Sequence, residues 1–93
     1  MMKQPAVYML ANRRGGDIYI GVTSNLATRV TQHKEGQVHG FSKAKGTHIL
    51  VWYCYFDEMT DAIREEKRLK NWHRGWKVRL IEKENPNWDD LDI

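Results

Sequence analysis

Five side chains in this sequence are suited to acid–base chemistry, cation binding and phosphate binding. They are two phenols, a guanidinium, an imidazole and a carboxylate, contributed by Tyr8, Tyr19, Arg29, His33 and Glu66. Phenol, imidazole and carboxylate groups can exchange protons, a carboxylate can hold a cation, and a guanidinium pairs well with a phosphate. These residues can act together only if the fold brings them to one concave surface, which is what we expect.

The two tyrosines lie on segments that are typical of β-strands. Residues 6–11 are apolar on both alternating faces, as in a strand covered on both sides, and residues 18–22 form a second strand. In an antiparallel hairpin with a four-residue turn, Tyr8 faces Gly21 and lies diagonal to Tyr19. The hairpin therefore predicts two phenols on one face, although two core tyrosines would show the same spacing.

Arg29 and His33 occupy neighbouring turns of a helix predicted over residues 26–35. Both flank the stripe of this helix that faces the core. A guanidinium beside a buried face is costly unless an anion meets it, and a phosphate would be such an anion. An arginine that extends to solvent beside a half-buried histidine explains the same spacing.

Glu66 lies on a second predicted helix that runs from about residue 57 to about residue 72. At about 100° per residue, Glu66 falls in the middle of the apolar face and Glu65 on its edge; that face consists of Met59, Ala62, Ile63, Leu69 and His73. A carboxylate aimed at the core needs a cation, a hydrogen-bond network or a raised pKa. An ion pair with an arginine is the structural alternative to a functional role.

The remaining elements complete an α+β domain, with a small, mainly antiparallel three-stranded sheet flanked by helices in the order ββαβαα. A third strand is predicted over 48–56 and a short helix over 76–84. We expect a single domain over residues 1–93, with an acidic C-terminal tail over 85–93 in which Trp88 docks on the body.

Cysteine content and hydropathy point to a cytoplasmic protein with no membrane association. The single cysteine, Cys54, lies in an apolar run and is expected to be a small buried thiol. It cannot form a disulfide within the chain, and a cysteine-based zinc site is disfavoured. Nowhere do 18 apolar residues run together, and residues 1–5 are not followed by an apolar region as long as that of a signal peptide.

Charge is distributed unevenly along the chain. The net charge is +3, but the last twelve residues hold five acids and one base, which leaves fourteen bases and seven acids, or +7, in residues 1–81. A basic body suits a polyanionic partner such as a nucleic acid. The alternative is that the basic surface serves only to keep the protein soluble. The candidate nucleic-acid-binding residues are Arg13, Arg14, Lys43, Lys45, Lys70 and Lys77.

Basic residues also interleave with two tryptophans between positions 67 and 79. Such a segment can grip a phosphate backbone and stack bases. It can equally be an amphipathic helix with solvated lysines, and for Trp72 and Trp76 the core interpretation is favoured.

These residues resemble the GIY-YIG nuclease domain. Ala6-Val7-Tyr8 stands where that family has its first tripeptide, and Tyr19-Ile20-Gly21 is a literal copy of the second. Residues 24–33 look like the family's first helix, with its arginine and a His or Tyr one turn later. Residues 62–70 look like the segment that carries the metal-binding glutamate, and counting from Ala62 assigns this role to Glu66.

The resemblance spans roughly residues 5–82 and is greatest to small stand-alone bacterial members of the family. Two positions depart from the family pattern. Only Tyr8 survives from the first tripeptide, and Val22 stands where the excision-repair nucleases carry a lysine. One phosphate-facing cation of that subfamily is therefore missing here.

The resemblance implies metal-dependent hydrolysis of DNA phosphodiester bonds, with Glu66 holding Mg²⁺ or Mn²⁺. Tyr19 or Tyr8 would take the proton from the attacking water, and Arg29 would face the charge that grows on the phosphate. His33 would orient a phenol or relay a proton. Cleavage directed by DNA structure rather than by sequence, in repair or recombination, is the expected activity, and RNA is not excluded as a substrate.

Two other functions fit the same sequence. One is a non-catalytic nucleic-acid-binding adaptor that acts through its basic face, and the other is a nuclease subunit that depends on a protein partner for specificity. The enzyme is favoured because all five candidate catalytic positions hold chemically competent residues, which a degenerate adaptor could lose freely.

Overall fold

The computed structural model describes residues 4–36 and 46–93, and these form three strands and three helices in the order ββαβαα. The strands are β1 (Ala6–Ala11), β2 (Ile18–Thr23) and β3 (Ile49–Tyr55), and the helices are α1 (Leu26–Lys34), α2 (Met59–Lys70) and α3 (Arg74–Glu84). The predicted α+β class and element order are confirmed. In the described part of the chain, no helix is long and apolar enough to cross a membrane.

The sheet is antiparallel, with strand order β2-β1-β3. All six residues of the central strand β1 are buried, as its two apolar faces predicted. Tyr8 pairs with Gly21, so the predicted register of the hairpin is confirmed. Its turn is closed by a hydrogen bond from the Gly16 amide to the Arg13 carbonyl, at 2.9 Å.

Alternate residues of β1 enter two separate hydrophobic clusters, one on each face of the sheet. Tyr8 and its neighbours two positions away pack with Leu26 and Val30 of α1. Val7 and its alternate neighbours pack with residues of α2 and α3, among them Leu69. Helix α1 therefore covers the face that carries Tyr8, and helices α2 and α3 cover the opposite face.

The end of the chain packs along the outer edge of β3. The amide of Leu91 donates to the carbonyl of Leu50 at 2.8 Å, and the amide of Leu50 donates to Oδ1 of Asp90 at 3.0 Å. Trp88 is buried, and its indole nitrogen donates to a carboxylate oxygen of Glu82 at 2.7 Å. The expected docking of Trp88 is confirmed, and the tail satisfies backbone groups that an edge strand would otherwise leave open.

Several expectations about the apolar face of α2 were wrong. Ile63 is 37% exposed, because the helix points Ala62 and Leu69 at the sheet and successive residues differ by about 100°. The helix ends at Lys70, and His73 is the residue that precedes α3 as its N-cap. The predicted apolar face therefore extended past the end of the helix at His73 and too far around its circumference at Ile63.

Trp76 and Cys54 are also less buried than expected. Trp76 is 52% exposed, because α3 turns Ile81 into the core and Trp76, five residues earlier, lies about 140° away around the helix. Cys54 is half-buried near the end of β3, where it packs against the larger core cluster.

Candidate active site

Three aromatic rings from three elements meet on the α1 face of the sheet. The Tyr8 hydroxyl lies 3.1 Å from Nε2 of His33. The ring centroids of Tyr8 and Tyr19 are 6.3 Å apart, and those of Tyr19 and His33 are 5.2 Å apart. We call Tyr8, Tyr19 and His33 the ring cluster. The two phenols thus share a face, and a residue of α1 joins them.

Gly21 makes room for this cluster. A Cβ atom at position 21 would lie 2.5 Å from both Cζ and the hydroxyl oxygen of Tyr8, which is far inside van der Waals contact. The glycine is therefore needed for space. His33 reaches the cluster because Leu26, Val30 and His33 form the buried stripe of α1.

Tyr8 is the buried member of the cluster, with 1% of its surface exposed. Burial raises the pKa of its phenol well above the usual range, and the charge of Tyr19, a hydrogen bond with Tyr19 and the negative charge of Glu66 act in the same direction. The positive charge of Arg29 partly opposes them. Tyr8 is therefore a stable protonated phenol, and both Arg29 and Glu66 lie within electrostatic range of it.

His33 is neutral at physiological pH. Burial, and to a smaller extent the positive charge of Arg29, lower the pKa of the imidazole to about 4. A neutral imidazole has one nitrogen that donates and one that accepts. Nε2 can therefore accept a hydrogen bond from the Tyr8 hydroxyl.

The two adjacent carboxylates of α2 have different partners. Glu65 is held by the guanidinium of Arg68 through two hydrogen bonds of 2.6 Å, and these lower the pKa of its carboxyl group. Glu66 is more buried, with 14% of its side chain exposed, and its Oε2 lies 3.2 Å from Nζ of Lys70. The arginine ion pair considered for Glu66 forms at Glu65 instead.

Glu66 is linked to the ring cluster by its electrostatic effect on Tyr8 and by its ion pair with Lys70. Helix α2 packs Ala62 and Leu69 on the face opposite Tyr8, so the convergence of the five side chains on one concave surface stays a prediction. β2 is an edge strand, however, and a groove of about 270 Å³ along it is lined by Tyr19 and by Lys70, the ion-pair partner of Glu66. The candidate site therefore lies at this edge, and the groove is called the edge groove below.

The predicted nucleic-acid-binding residues fall into three groups. Lys70 and Lys77 line the edge groove, and Nζ of Lys77 lies 3.5 Å from the carbonyl oxygen of Lys70. Arg13 and Arg14 are exposed in the loop between β1 and β2. Lys43 and Lys45 lie outside the described residues.

Arg74 has a positioning contact that the sequence analysis missed. Its Nη2 donates to the carbonyl oxygens of Gly15 and Gly16, both at 2.7 Å, and so ties the start of α3 to the β1–β2 loop. The sequence grouped Arg74 with the phosphate-gripping bases of its helix. No spacing rule distinguishes an arginine that binds a distant loop from one that faces solvent.

Glu66 would be the single protein carboxylate that binds a cation at the candidate site. Within residues 4–36 and 46–93, no group of three or more His, Cys, Asp or Glu side chains is placed to hold a metal ion. A cation bound at Glu66 would complete its coordination with water and substrate oxygens, an arrangement that suits Mg²⁺. Lys70, with 52% of its side chain exposed, can swing away to release the carboxylate.

The sequence of this chain matches the model of the GIY-YIG catalytic domain over residues 4–79. It is 34% identical over 77 residues to the UPF0213 protein VPA1222 of Vibrio parahaemolyticus, covering 83% of this chain and 72% of that one. It is 32% identical over 82 residues to the UPF0213 protein OB0043 of Oceanobacillus iheyensis, covering 88% and 94%.

A solved structure has the same fold. The solution NMR structure of the UPF0213 protein BH0048 from Bacillus halodurans superposes with a TM-score of 0.58 at 24% identity, covering 94% of this chain and 92% of that one. An α+β fold with an edge-strand site and the matching catalytic-domain model define a nuclease-type protein. The chain belongs to the GIY-YIG family.

Proposed function

We propose that this protein is a divalent-metal-dependent endonuclease that hydrolyses DNA phosphodiester bonds and is directed by DNA structure, with a role in repair or recombination. The observation that carries the proposal is the ring cluster, one member of which, Tyr19, lines the edge groove together with Lys70, the ion-pair partner of Glu66. Acid–base groups, a carboxylate and phosphate-binding cations are thus neighbours. The same arrangement would act on RNA if RNA fitted the groove.

Tyr19 is the proposed general base. It is half-exposed and lines the edge groove, whereas Tyr8 is buried and firmly protonated. A free phenol loses its proton only near pH 10, so a base of this kind works best beside positive charge. Arg29, whose charge reaches Tyr8 and His33, is the proposed source of that charge and the partner of the scissile phosphate.

Tyr8 and His33 are proposed to position Tyr19. Tyr8 hydrogen-bonds to Tyr19 on one side and to Nε2 of His33 on the other. Because the imidazole is neutral and buried, it holds Tyr8 without adding a positive charge that would repel the cation. The pair fixes the direction of the Tyr19 hydroxyl and offers its proton a path away from the attacking water.

Glu66 is proposed to hold Mg²⁺ or Mn²⁺ in place of its contact with Lys70. A bound ion would polarise the scissile phosphate and stabilise the leaving oxygen. Lys70, released from Glu66, would then be free to contact a phosphate from the wall of the edge groove. Until then, the ion pair with Lys70 holds the carboxylate in place.

The proposal is tested by nicking of supercoiled plasmid in the presence and absence of Mg²⁺. Glu66→Gln should abolish nicking and retain nucleic-acid binding, because the amide keeps the shape of the side chain and removes the charge. Glu65→Gln is the matched control, since Glu65 is the neighbouring carboxylate and is engaged by Arg68. Wild-type protein that binds DNA but does not nick it with Mg²⁺ would instead support the adaptor function.

A panel of flaps, junctions, single strands and duplexes would then identify the preferred substrate. Loss of activity in Glu65→Gln as well as in Glu66→Gln, with both variants folded, would contradict the assignment of the cation to Glu66. Activity that appears only after a protein partner is added would support the subunit function.

A further inference from the structure

Trp76 is the most exposed large apolar side chain in the described part of the molecule, with 52% of its surface accessible. Its ring nevertheless contacts two neighbouring rings. Trp72 and His73 contact it at centroid distances of 5.7 and 5.8 Å, both nearly perpendicular to it at 89°. A large aromatic ring that is left open to solvent suits binding better than folding.

A groove of about 580 Å³ lies beside this ring, and its wall carries Arg79 and Lys83. The one acidic residue in its lining, Glu82, accepts the hydrogen bond from the buried indole of Trp88. The groove at Trp76 therefore combines the rings of Trp72 and Trp76 with two basic side chains, Arg79 and Lys83.

We propose that this groove binds unpaired nucleotides, with a base stacked on Trp76 and the backbone phosphates near Arg79 and Lys83. Aromatic platforms flanked by cations are the means by which proteins hold single-stranded nucleic acid without reading its sequence. Bases in a duplex are already stacked on one another and do not present a free face to such a ring. The occupant is therefore a single-stranded segment.

The position of the groove links it to the candidate active site. Lys77, which follows Trp76 directly in α3, lines the edge groove together with Tyr19. A strand whose base is stacked on Trp76 would thus have its neighbouring phosphates near Lys77. This inference rests on the proposed nuclease function and deepens it, because it names substrates with unpaired nucleotides next to the cleaved bond.

The test is the binding of a fluorescein-labelled oligothymidylate, measured by fluorescence anisotropy in the presence of chelator so that no cleavage occurs. Trp76→Ala should weaken binding by about tenfold to a hundredfold, while binding of a duplex of the same length changes little. Trp76→Phe should recover most of the affinity because it keeps a ring that can stack. Tyr55→Ala, which removes another exposed aromatic side chain, is the control.

The outcomes separate this inference from the proposed function. A folded Trp76→Ala protein that binds the oligothymidylate like wild type would overturn the inference and leave the groove to a protein partner, even if plasmid is nicked. Equal weakening for single strand and duplex would overturn it too. If Trp76→Ala weakens binding of the single strand but not of the duplex, and the wild type never nicks DNA, the binding site is supported and the nuclease function is refuted.

Discussion

Gly21 lies directly opposite Tyr8 in the β1–β2 ladder, and a Cβ atom at position 21 would lie 2.5 Å from the Tyr8 hydroxyl oxygen. Gly21→Ala must therefore displace the phenol or part the strands. We expect the free energy of unfolding to fall by about 1–3 kcal/mol, as in other overpacked cores. Cleavage should fall by about a hundredfold, because Tyr8 orients Tyr19 and a small misplacement is costly. Thermal melting and plasmid nicking measure the two effects.

Gly75→Ala is the control for this substitution. Gly75 sits in the first turn of α3, and apart from its chain neighbours and the backbone of its own helix, no described heavy atom lies within 4 Å of the position that a Cβ would take there. Alanine there should leave stability unchanged or raise it by up to about 1 kcal/mol, and nicking should not change. A Gly21→Ala protein as stable and active as Gly75→Ala would show that Tyr8 is not held as described.

The buried imidazole of His33 makes stability depend on pH. Burial and Arg29 lower its pKa to about 4, whereas the unfolded chain has a histidine pKa of about 6.5. Between these values the unfolded state binds the proton, so stability is fully present above pH 6.5 and is lost as pH falls toward 4. The expected loss between pH 7 and pH 5 is about 2 kcal/mol, measured by denaturant unfolding at the two pH values.

His33→Gln should remove this pH dependence, since glutamine can still hydrogen-bond to Tyr8 but does not titrate in this range. His48→Gln, at an exposed position, should keep the wild-type dependence. If all three proteins lose the same stability between pH 7 and pH 5, His33 is not the group that titrates.

The hairpin and its pairing could be predicted from the sequence because they depend on local rules. Period-two alternation and a four-residue turn fix which residues of β1 and β2 face each other, and Tyr8 does pair with Gly21. The inward placement of Glu66 followed from helical periodicity in the same way, and its side chain is 14% exposed. Local periodicity predicts which side of an element a residue occupies.

Periodicity does not predict which face of the sheet each helix covers. Helix α2 packs on the face opposite Tyr8, and Lys70, the ion-pair partner of Glu66, meets Tyr19 along the edge strand β2. The contact of Arg74 with the β1–β2 loop spans 58 and 59 positions and has no local signature. The exposure of Trp76 likewise depends on how α3 packs, which its composition does not reveal.

Arg74 should order the β1–β2 loop. Arg74→Ala removes two hydrogen bonds to the carbonyls of Gly15 and Gly16, and we expect a loss of about 1 kcal/mol because such bonds are partly exposed. Amide hydrogen exchange at residues 12–17 should become faster while exchange in β3 does not change. Arg64→Ala, which removes a mostly exposed side chain in the middle of α2, should leave that loop protected.

Mg²⁺ should stabilise the folded protein through Glu66. A ligand that binds only the folded state adds about 2.7 kcal/mol to the free energy of unfolding when its concentration is about a hundred times Kd. The Tm in saturating Mg²⁺ should therefore exceed the Tm in chelator by several degrees. Glu66→Gln should lose this increase and Glu65→Gln should keep it. In chelator, Glu66→Gln should cost no more than about 0.5 kcal/mol, because the pair with the half-exposed Lys70 is of the i,i+4 type.

A structural role for Glu66 would give the opposite pattern. Breaking a buried ion pair costs about 3–5 kcal/mol, so a structural Glu66 would make Glu66→Gln melt far below wild type in chelator. The protein would also still nick plasmid and still gain stability from Mg²⁺. Differential scanning fluorimetry of the three proteins, with and without chelator, distinguishes the two roles.

Binding to DNA should depend steeply on salt, because residues 1–81 carry a net charge of +7 and Lys70 and Lys77 line the edge groove. Each phosphate contact releases a counterion, so the logarithm of affinity falls linearly with the logarithm of salt concentration. Lys77→Gln should reduce that slope by about one.

The contribution of Lys70 is best measured in the Glu66→Gln protein, where Lys70 has lost its carboxylate partner. Adding Lys70→Gln to that protein should lower the slope of the salt dependence by its full amount, about one. Arg64→Gln, away from the groove, should leave the slope unchanged. Anisotropy titrations of duplex DNA in chelator from low to physiological salt measure the slopes of all five proteins, the Glu66→Gln parent included. A flat dependence for the wild type would refute electrostatic binding.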